Sequence, residues 1–169
     1  MPTSDPTNKL WSIRKIKKLN PKTVLDLGTG MGDYLELIRN YLSPDVVVHG
    51  VEIWEPYVKE YALEQRYDKL FIQDVREVEN FDYDLVILGD VLEHMPESDA
   101  IKLWEAISKQ AHYALISIPI GHHPQGACGG NPYEVHHEED WSTDRVLQAF
   151  SGIIDHKEFD TTGVFIARF

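Results

Sequence analysis

Hydrophobic positions along the chain fall into two alternating patterns: short continuous apolar runs, and stretches where apolar residues recur every three or four positions. Thr23–Leu27, Val46–Val51, Lys69–Ile72, Tyr83–Leu88 and Tyr113–Ile118 are runs of the first kind, several rich in β-branched residues, and predict strands covered on both faces. Between them, Asp33–Tyr41 offers Leu35, Leu37 and Ile38 at helical spacing, Glu55-Pro56 opens a second helix through about Glu64, and Ser98–Gln110 offers Ile101, Leu103, Trp104 and Ile107. Upstream, Ser4-Asp5-Pro6 reads as a helix start, and Leu10, Ile13, Ile16 and Leu19 form an apolar stripe opposite the lysines, ended by Asn20-Pro21. Strands alternating with helices at these intervals predict a parallel sheet with right-handed crossovers. The end of the chain departs from that rhythm. Ser142 can cap a helix through Phe150, closed by Gly152, after which Ile153–Phe159 and Val164–Phe169 are joined by only four residues. A parallel pair needs a crossover of a dozen residues or more, so these two should form an antiparallel hairpin. The expected fold is α/β: a doubly wound, mostly parallel seven-stranded sheet with an antiparallel C-terminal hairpin and helices on both faces.

Composition narrows the class. At 169 residues the chain suits one domain, 1–169, with 1–22 as an N-terminal helical extension and 119–141 as a substrate loop. Runs such as Leu85–Leu88 fall far short of the roughly 18 apolar residues that span a bilayer, and the N-terminus has no signal-peptide core, so no membrane role and a cytoplasmic location are expected. Cys128 is the single cysteine, which rules out an intramolecular disulfide. The net charge of −12 argues against nucleic acid as a partner. Residues 1–22 nevertheless carry +5, from Lys9, Arg14, Lys15, Lys17, Lys18 and Lys22 against Asp5, leaving −17 for the rest. Such a run reads as the solvated face of an amphipathic helix.

In doubly wound sheets, ligands bind beyond the carboxyl ends of the strands. The first strand ends in Asp26-Leu27-Gly28-Thr29-Gly30-Met31-Gly32-Asp33, and the glycines allow a ligand close to the backbone ahead of a helix N-terminus. The dinucleotide fingerprint would need glycine at position 33, where Asp33 is poorly suited to a pyrophosphate. The order Asp26-x-Gly28-x-Gly30-x-Gly32 resembles instead the class I S-adenosylmethionine-dependent methyltransferases. Along the chain the resemblance extends to Glu52 after the second strand, Asp74-Val75 after the third and Gly89-Asp90-Val91-Leu92-Glu93-His94 after the fourth. It implies S-adenosylmethionine as cofactor and S-adenosylhomocysteine as product. Asp26, Gly28, Thr29, Gly30 and Gly32 would line the methionine side. Glu52 with Ile53 would hold the ribose, Asp74 and Val75 the adenine, and Asp90 with Val91 the methionine end. The terminal hairpin fits the same family.

The acceptor is less constrained. Nucleic-acid amino methyltransferases carry Pro-Pro-Tyr or Phe after the fourth-strand acid, where this chain has Val91-Leu92. The segment Pro119–Asp140 is too long for an ordinary connection and follows the fifth strand, so it should overhang the methyl group. Its Asn131-Pro132-Tyr133-Glu134-x-His136 stretch resembles methyltransferases linked to saccharide or surface-polymer modification. His136 and His137, flanked by Glu134 and Glu138, together with His94, are the candidate general bases. Asp90, Glu93 and His94 also resemble an acid-x-x-Glu-His arrangement that holds a divalent ion in some methyltransferases, with His122, His123, His136 or His137 available to complete it. The chemistry expected is methyl transfer to oxygen or nitrogen of a small-molecule or saccharide-like acceptor. A non-catalytic cofactor- or partner-binding module is the alternative. With only the N-terminal helix to build an acceptor pocket, a homo-oligomer or partner subunit could complete it.

Overall fold

The computed structural model describes residues 6–169, so the expected cap at Ser4-Asp5 lies outside the described residues. Helix α1 (Pro6–Leu19) leads into strand β1 (Thr23–Leu27), followed by α2 (Asp33–Tyr41) and β2 (Val47–Glu52). Two short helices, α3 (Glu55–Glu60) and α4 (Leu63–Arg66), precede β3 (Lys69–Ile72). Then come β4 (Leu85–Gly89), α5 (Glu97–Ser108) and β5 (Tyr113–Pro119). A two-residue ribbon, β6 (Gly121–His122) with β7 (Asp140–Trp141), stands apart from the main sheet. Helix α6 (Thr143–Ala149) and strands β8 (Ile153–Glu158) and β9 (Thr162–Arg168) complete the chain.

The main sheet has seven strands in the order β3-β2-β1-β4-β5-β9-β8. Only β9 runs against its neighbours: β1 to β5 pair in parallel, while β9 pairs antiparallel with both β5 and β8. The chain moves outward from β1 to β3, then returns to place β4 on the other side of β1. That reversal puts the switch point between β1 and β4, at their carboxyl ends.

Alternation along each strand decides what the two faces see. Leu25, Leu27, Val86 and Leu88 turn to one face, against Leu103, Trp104 and Ile107 of α5 and Val146 of α6. Val24, Leu85 and Ile87 turn to the other, against Ile13 and Ile16 of α1, Leu35 and Ile38 of α2, and Val58 and Leu63 of α3 and α4. Each such buried aliphatic side chain stabilises the fold by roughly 1.5–3 kcal/mol, which is why covered strands read as continuous apolar runs.

Two expectations need correction. The apolar stripe of α1 is not Leu10–Leu19 facing away from the lysines: Leu10 is 56% exposed, whereas Asn8, Lys9 and Ser12 are buried with Ile13 and Ile16. The polar first turns of the helix dock on polar strand ends, Asn8 Nδ2 reaching Ser117 Oγ at 3.4 Å, and that overrides simple periodicity. The single helix expected from Glu55 is broken at Ala62, which takes a left-handed conformation (φ 51°). The break lets Arg66 turn back to Met31 O at 2.7 Å and Glu36 Oε1 at 3.2 Å. The 119–140 segment is a flap built on the β6–β7 ribbon and a single 3-10 turn at Pro132–Glu134.

Candidate active site

The carboxyl ends of β1, β2 and β4 open into one cavity of about 460 Å³. Its floor is set by the glycine turn. Gly28 has φ +67°, and a Cβ there would lie 2.6 Å from Val91 Cγ2, so a side chain is excluded by both conformation and space. Gly32, also left-handed at φ +85°, caps α2. It does not line the cavity as expected, because its place is at the helix start beneath Arg66.

Glu52, buried at the end of β2, ties the turn to that strand. Oε2 accepts from Gly30 N at 2.9 Å and Thr29 Oγ1 at 3.2 Å, while Oε1 accepts from Trp54 N at 2.8 Å. Burial raises its pKa from the ordinary value, against the pull of those donors. Asp26, the one acid in β1, is 2% exposed and accepts a 2.6 Å hydrogen bond from Tyr67 Oη. Burial pushes its pKa up to about 7 despite that donor. Asp90, just past β4, is held at φ 56°, an unusual conformation for a residue with a side chain. Two bonds pin it there: its amide donates to Ser117 O at 2.8 Å, and Ser117 Oγ donates to its Oδ1 at 2.9 Å.

Of the residues expected at the cofactor, Asp26, Gly28, Thr29, Gly30, Glu52, Ile53, Asp74, Val75, Asp90 and Val91 all line this cavity. Asp74 is already engaged, since the Arg76 guanidinium meets both its oxygens and holds its pKa below the ordinary value.

The flap forms the opposite wall. His136 N donates to Gln125 O, and Gln125 Nε2 returns to Glu134 O. The amides of His137 and Glu138 both donate to Glu93 O, and Glu138 is clamped by Arg145, which also pairs with Glu97. His94 and His136 face each other with ring centroids 4.9 Å apart and both line the cavity. His137 does not line it; its amide serves to hold the flap against the turn after β4.

The ring tautomers are set by backbone carbonyls. His94 Nδ1 lies 3.2 Å from Val135 O, and His136 Nδ1 lies 2.5 Å from His123 O. A carbonyl can only accept, so each Nδ1 carries a proton, and in the neutral ring the lone pair is the one on Nε2. Burial lowers the His94 pKa to about 4, so that ring is neutral. Glu93 is 1% exposed with Oε2 unpartnered, and burial raises its pKa well above the carboxylate range. One ligand atom from each of Glu93, His94 and His136 lies within 4.8 Å of the other two. Asp90 and the other histidines named as candidate ligands stand outside that trio.

The residue that periodicity missed is Lys9. It sits at 8% exposure in the cavity wall, 3.7 Å from Asp33 Oδ2 and 3.7 Å above the Tyr34 ring. One signal in the sequence could have found it: Asn8, Lys9 and Ser12 precede Ile13 and Ile16 on the same helical face.

Sheet order, reversed last strand and acids at successive strand ends together define a class I methyltransferase. The match to a family model described as a methyltransferase domain covers residues 5–147, and the chain belongs to that family. Its cofactor is S-adenosylmethionine, and the donor set fits: Glu52 can accept from vicinal ribose hydroxyls, and Asp26 and Asp90 from an ammonium. Among curated proteins, no sequence matches the chain. Among solved structures, a S-adenosylmethionine-dependent methyltransferase from Clostridium acetobutylicum superposes with TM-score 0.72 at 13% identity, over 98% of this chain and 92% of that one. The N-terminal domain of EvdMO1, solved in the presence of S-adenosylhomocysteine and D-fucose, gives 0.67 at 16% identity, over 98% and 84%. A candidate O-methyltransferase from Nostoc punctiforme gives 0.71 at 18% identity over 96% of this chain, which spans 56% of that protein. Among the described residues, no helix is long and apolar enough to cross a membrane.

Proposed function

We propose that this enzyme methylates an oxygen or nitrogen of a small-molecule or saccharide-like acceptor, with the flap over the cavity forming the acceptor site. The observation that carries this reading is the convergence of Glu93, His94 and His136 on the cavity wall beside Asp90. The cavity, about 460 Å³, must take the cofactor as well as the acceptor, which favours a compact acceptor or the end of a larger one. The EvdMO1 neighbour, studied with D-fucose, adds weight to a sugar.

S-adenosylmethionine supplies an electrophilic methyl group. The chain's residues then have three tasks. Glu52 holds the ribose, Asp74 and Val75 meet the adenine, and Asp26 and Asp90 take the ammonium of the methionine moiety. The flap, latched by Arg145 to Glu97 and Glu138, excludes water. The Nε2 lone pair of His136 accepts the proton that the acceptor hydroxyl or amine gives up, with His123 O fixing the ring through Nδ1.

A second reading is favoured by the orphaned Glu93 Oε2: Glu93, His94 and His136 would hold a divalent ion that orients the acceptor. Dialysis against EDTA separates the two. Loss of turnover restored by Mn²⁺ supports the ion, and unchanged turnover leaves His136 as the base.

The test of the function is labelled methyl transfer screened against sugars, phenols, amines, peptides and nucleic acid. Transfer to a sugar or phenol is expected. His136→Ala should lower turnover by ~10²–10⁴-fold while S-adenosylhomocysteine affinity holds. Equal loss of both would overturn the role of His136.

A further inference from the structure

Among the described residues, one lysine and one arginine line the cavity, Lys9 and Arg76, and they are differently placed. Arg76 is committed to Asp74, with Asp99 beyond it at 3.5 Å. Lys9 faces Asp33 at 3.7 Å, beyond hydrogen-bond range, with its ammonium held over the Tyr34 ring. Asp26 and Asp90 line the same cavity, and their charges act on the Lys9 ammonium together with that of Asp33. Asp26 and Asp90 lie on the β1–β4 side, whereas Glu52 stands on β2, and β2 and β4 are separated by β1, roughly 10 Å apart at two strand spacings.

We propose that Lys9 binds the carboxylate of the cofactor's methionine moiety and so makes the site selective for a complete amino-acid end. The inference rests on the cofactor placement proposed above and adds a ligand that lies outside all the strand-end motifs. An amino acid brings one ammonium and one carboxylate together. Asp26, Asp33 and Asp90 suit the first and repel the second, and at a partly desolvated site that repulsion is far stronger than in water. A single buried ammonium among three acids reverses the sign where it is needed.

Lys9 is also ready before the ligand arrives. Helix α1 is anchored by Ile13 and Ile16 in the core, by Asn8 Nδ2 on Ser117 Oγ, and by Ser12 Oγ on Asn8 O. The aliphatic stem of Lys9 is packed, so little side-chain entropy remains to be lost on binding.

The experiment is calorimetry with two ligands: S-adenosylhomocysteine, and S-adenosyl-3-thiopropylamine, which is the same molecule without the carboxylate. Wild type should prefer the first by roughly 30-fold or more, the scale of one buried charge-assisted pair. Lys9→Met should erase that preference, losing affinity for S-adenosylhomocysteine while binding the second ligand within about threefold of wild type. The second ligand also reports whether the variant is folded. Equal loss for both ligands, or a wild type indifferent to the carboxylate, overturns the proposal. So does a Lys9→Met variant that keeps cofactor affinity and raises only the acceptor KM, which would assign Lys9 to the acceptor. Failure of wild type to bind either ligand would instead overturn the cofactor placement itself.

Discussion

The floor of the cavity and the flap above it are built by different means. The floor consists of strand ends locked into a parallel ladder, with Asp26 against Tyr67, Glu52 bridging Gly30 and Trp54, and Asp90 bonded twice to Ser117. The flap has two residues of paired strand on each side and is tied to the rest of the chain by a few isolated bonds: the amides of His137 and Glu138 on Glu93 O, Arg145 on Glu138, and Tyr57 on Glu134. A sheet cannot shift one strand end without disturbing its neighbours, so the floor suits a ligand common to all members of the fold. A flap tied by a few isolated bonds can change with few consequences below it, which suits the varying acceptor.

The comparison can be broken at four points. The largest effect is expected from Gly28→Val, which places a β-branched side chain at φ +67° and against Val91. Thermal denaturation should show a loss of at least ~2 kcal/mol, with S-adenosylhomocysteine binding abolished. A folded variant that still binds would mean that the floor is less rigid than its contacts imply.

Next, Glu52→Gln should weaken S-adenosylhomocysteine by ~10–100-fold, the scale of lost hydrogen bonds to a charged acceptor. Acceptor KM measured at saturating cofactor should stay the same. A change in acceptor KM of similar size would dissolve the division between floor and flap.

Third, pH should act through Asp26, whose pKa is raised to about 7 by burial. The unfolded value is near 3.8, so the folded state holds this proton more tightly. Its contribution favours the fold most below pH 3.8, declines as pH rises to about 7, and is constant above. With Asp26 on the ammonium, as proposed above, cofactor binding should have the opposite slope, since an ammonium pairs with the ionised form. Affinity should fall by up to ~10-fold per pH unit below about 7, and the slope should vanish in Asp26→Asn. Calorimetry between pH 5.5 and 8, a range of roughly 1.5 units below and 1 above that pKa, reads both.

The smallest effect belongs to the latch. Arg145→Ala removes the pairs to Glu97 and Glu138, both partly exposed, and should raise acceptor KM about threefold with cofactor affinity unchanged. Steady-state kinetics at varied acceptor concentration would detect it.

The same division explains what the sequence revealed. The floor was legible because covered strands must be apolar and their ends must carry the polar work: β3 and α2 begin and end where the pattern places them, and the acids at 26, 52, 74 and 90 all reach one cavity. The flap was legible as a length, a place beyond the fifth strand and a set of candidate histidines, of which His136 lines the cavity and His137 does not. Which of its histidines turned inward depended on carbonyls contributed by His123 and Val135, and no periodicity encodes such contacts. Lys9 was obscured for a related reason. A lysine beside Arg14, Lys15, Lys17 and Lys18 looks like one more solvated charge until Asn8 and Ser12 are seen to be buried beside it.

The docking of α1 also has a consequence for the order in which this protein assembles. Asn8 and its partner Ser117 are 109 residues apart in the chain, and Lys15 on the same helix pairs with Asp155 on β8. The helix is therefore synthesised long before the surfaces that receive it exist. Contacts of such long range form late and slowly. During synthesis the glycine turn and Glu52 can come together while the end of the cavity holding Lys9 still stands open. A nascent chain should thus gain its grip on the adenosine half of the cofactor before it gains the methionine half.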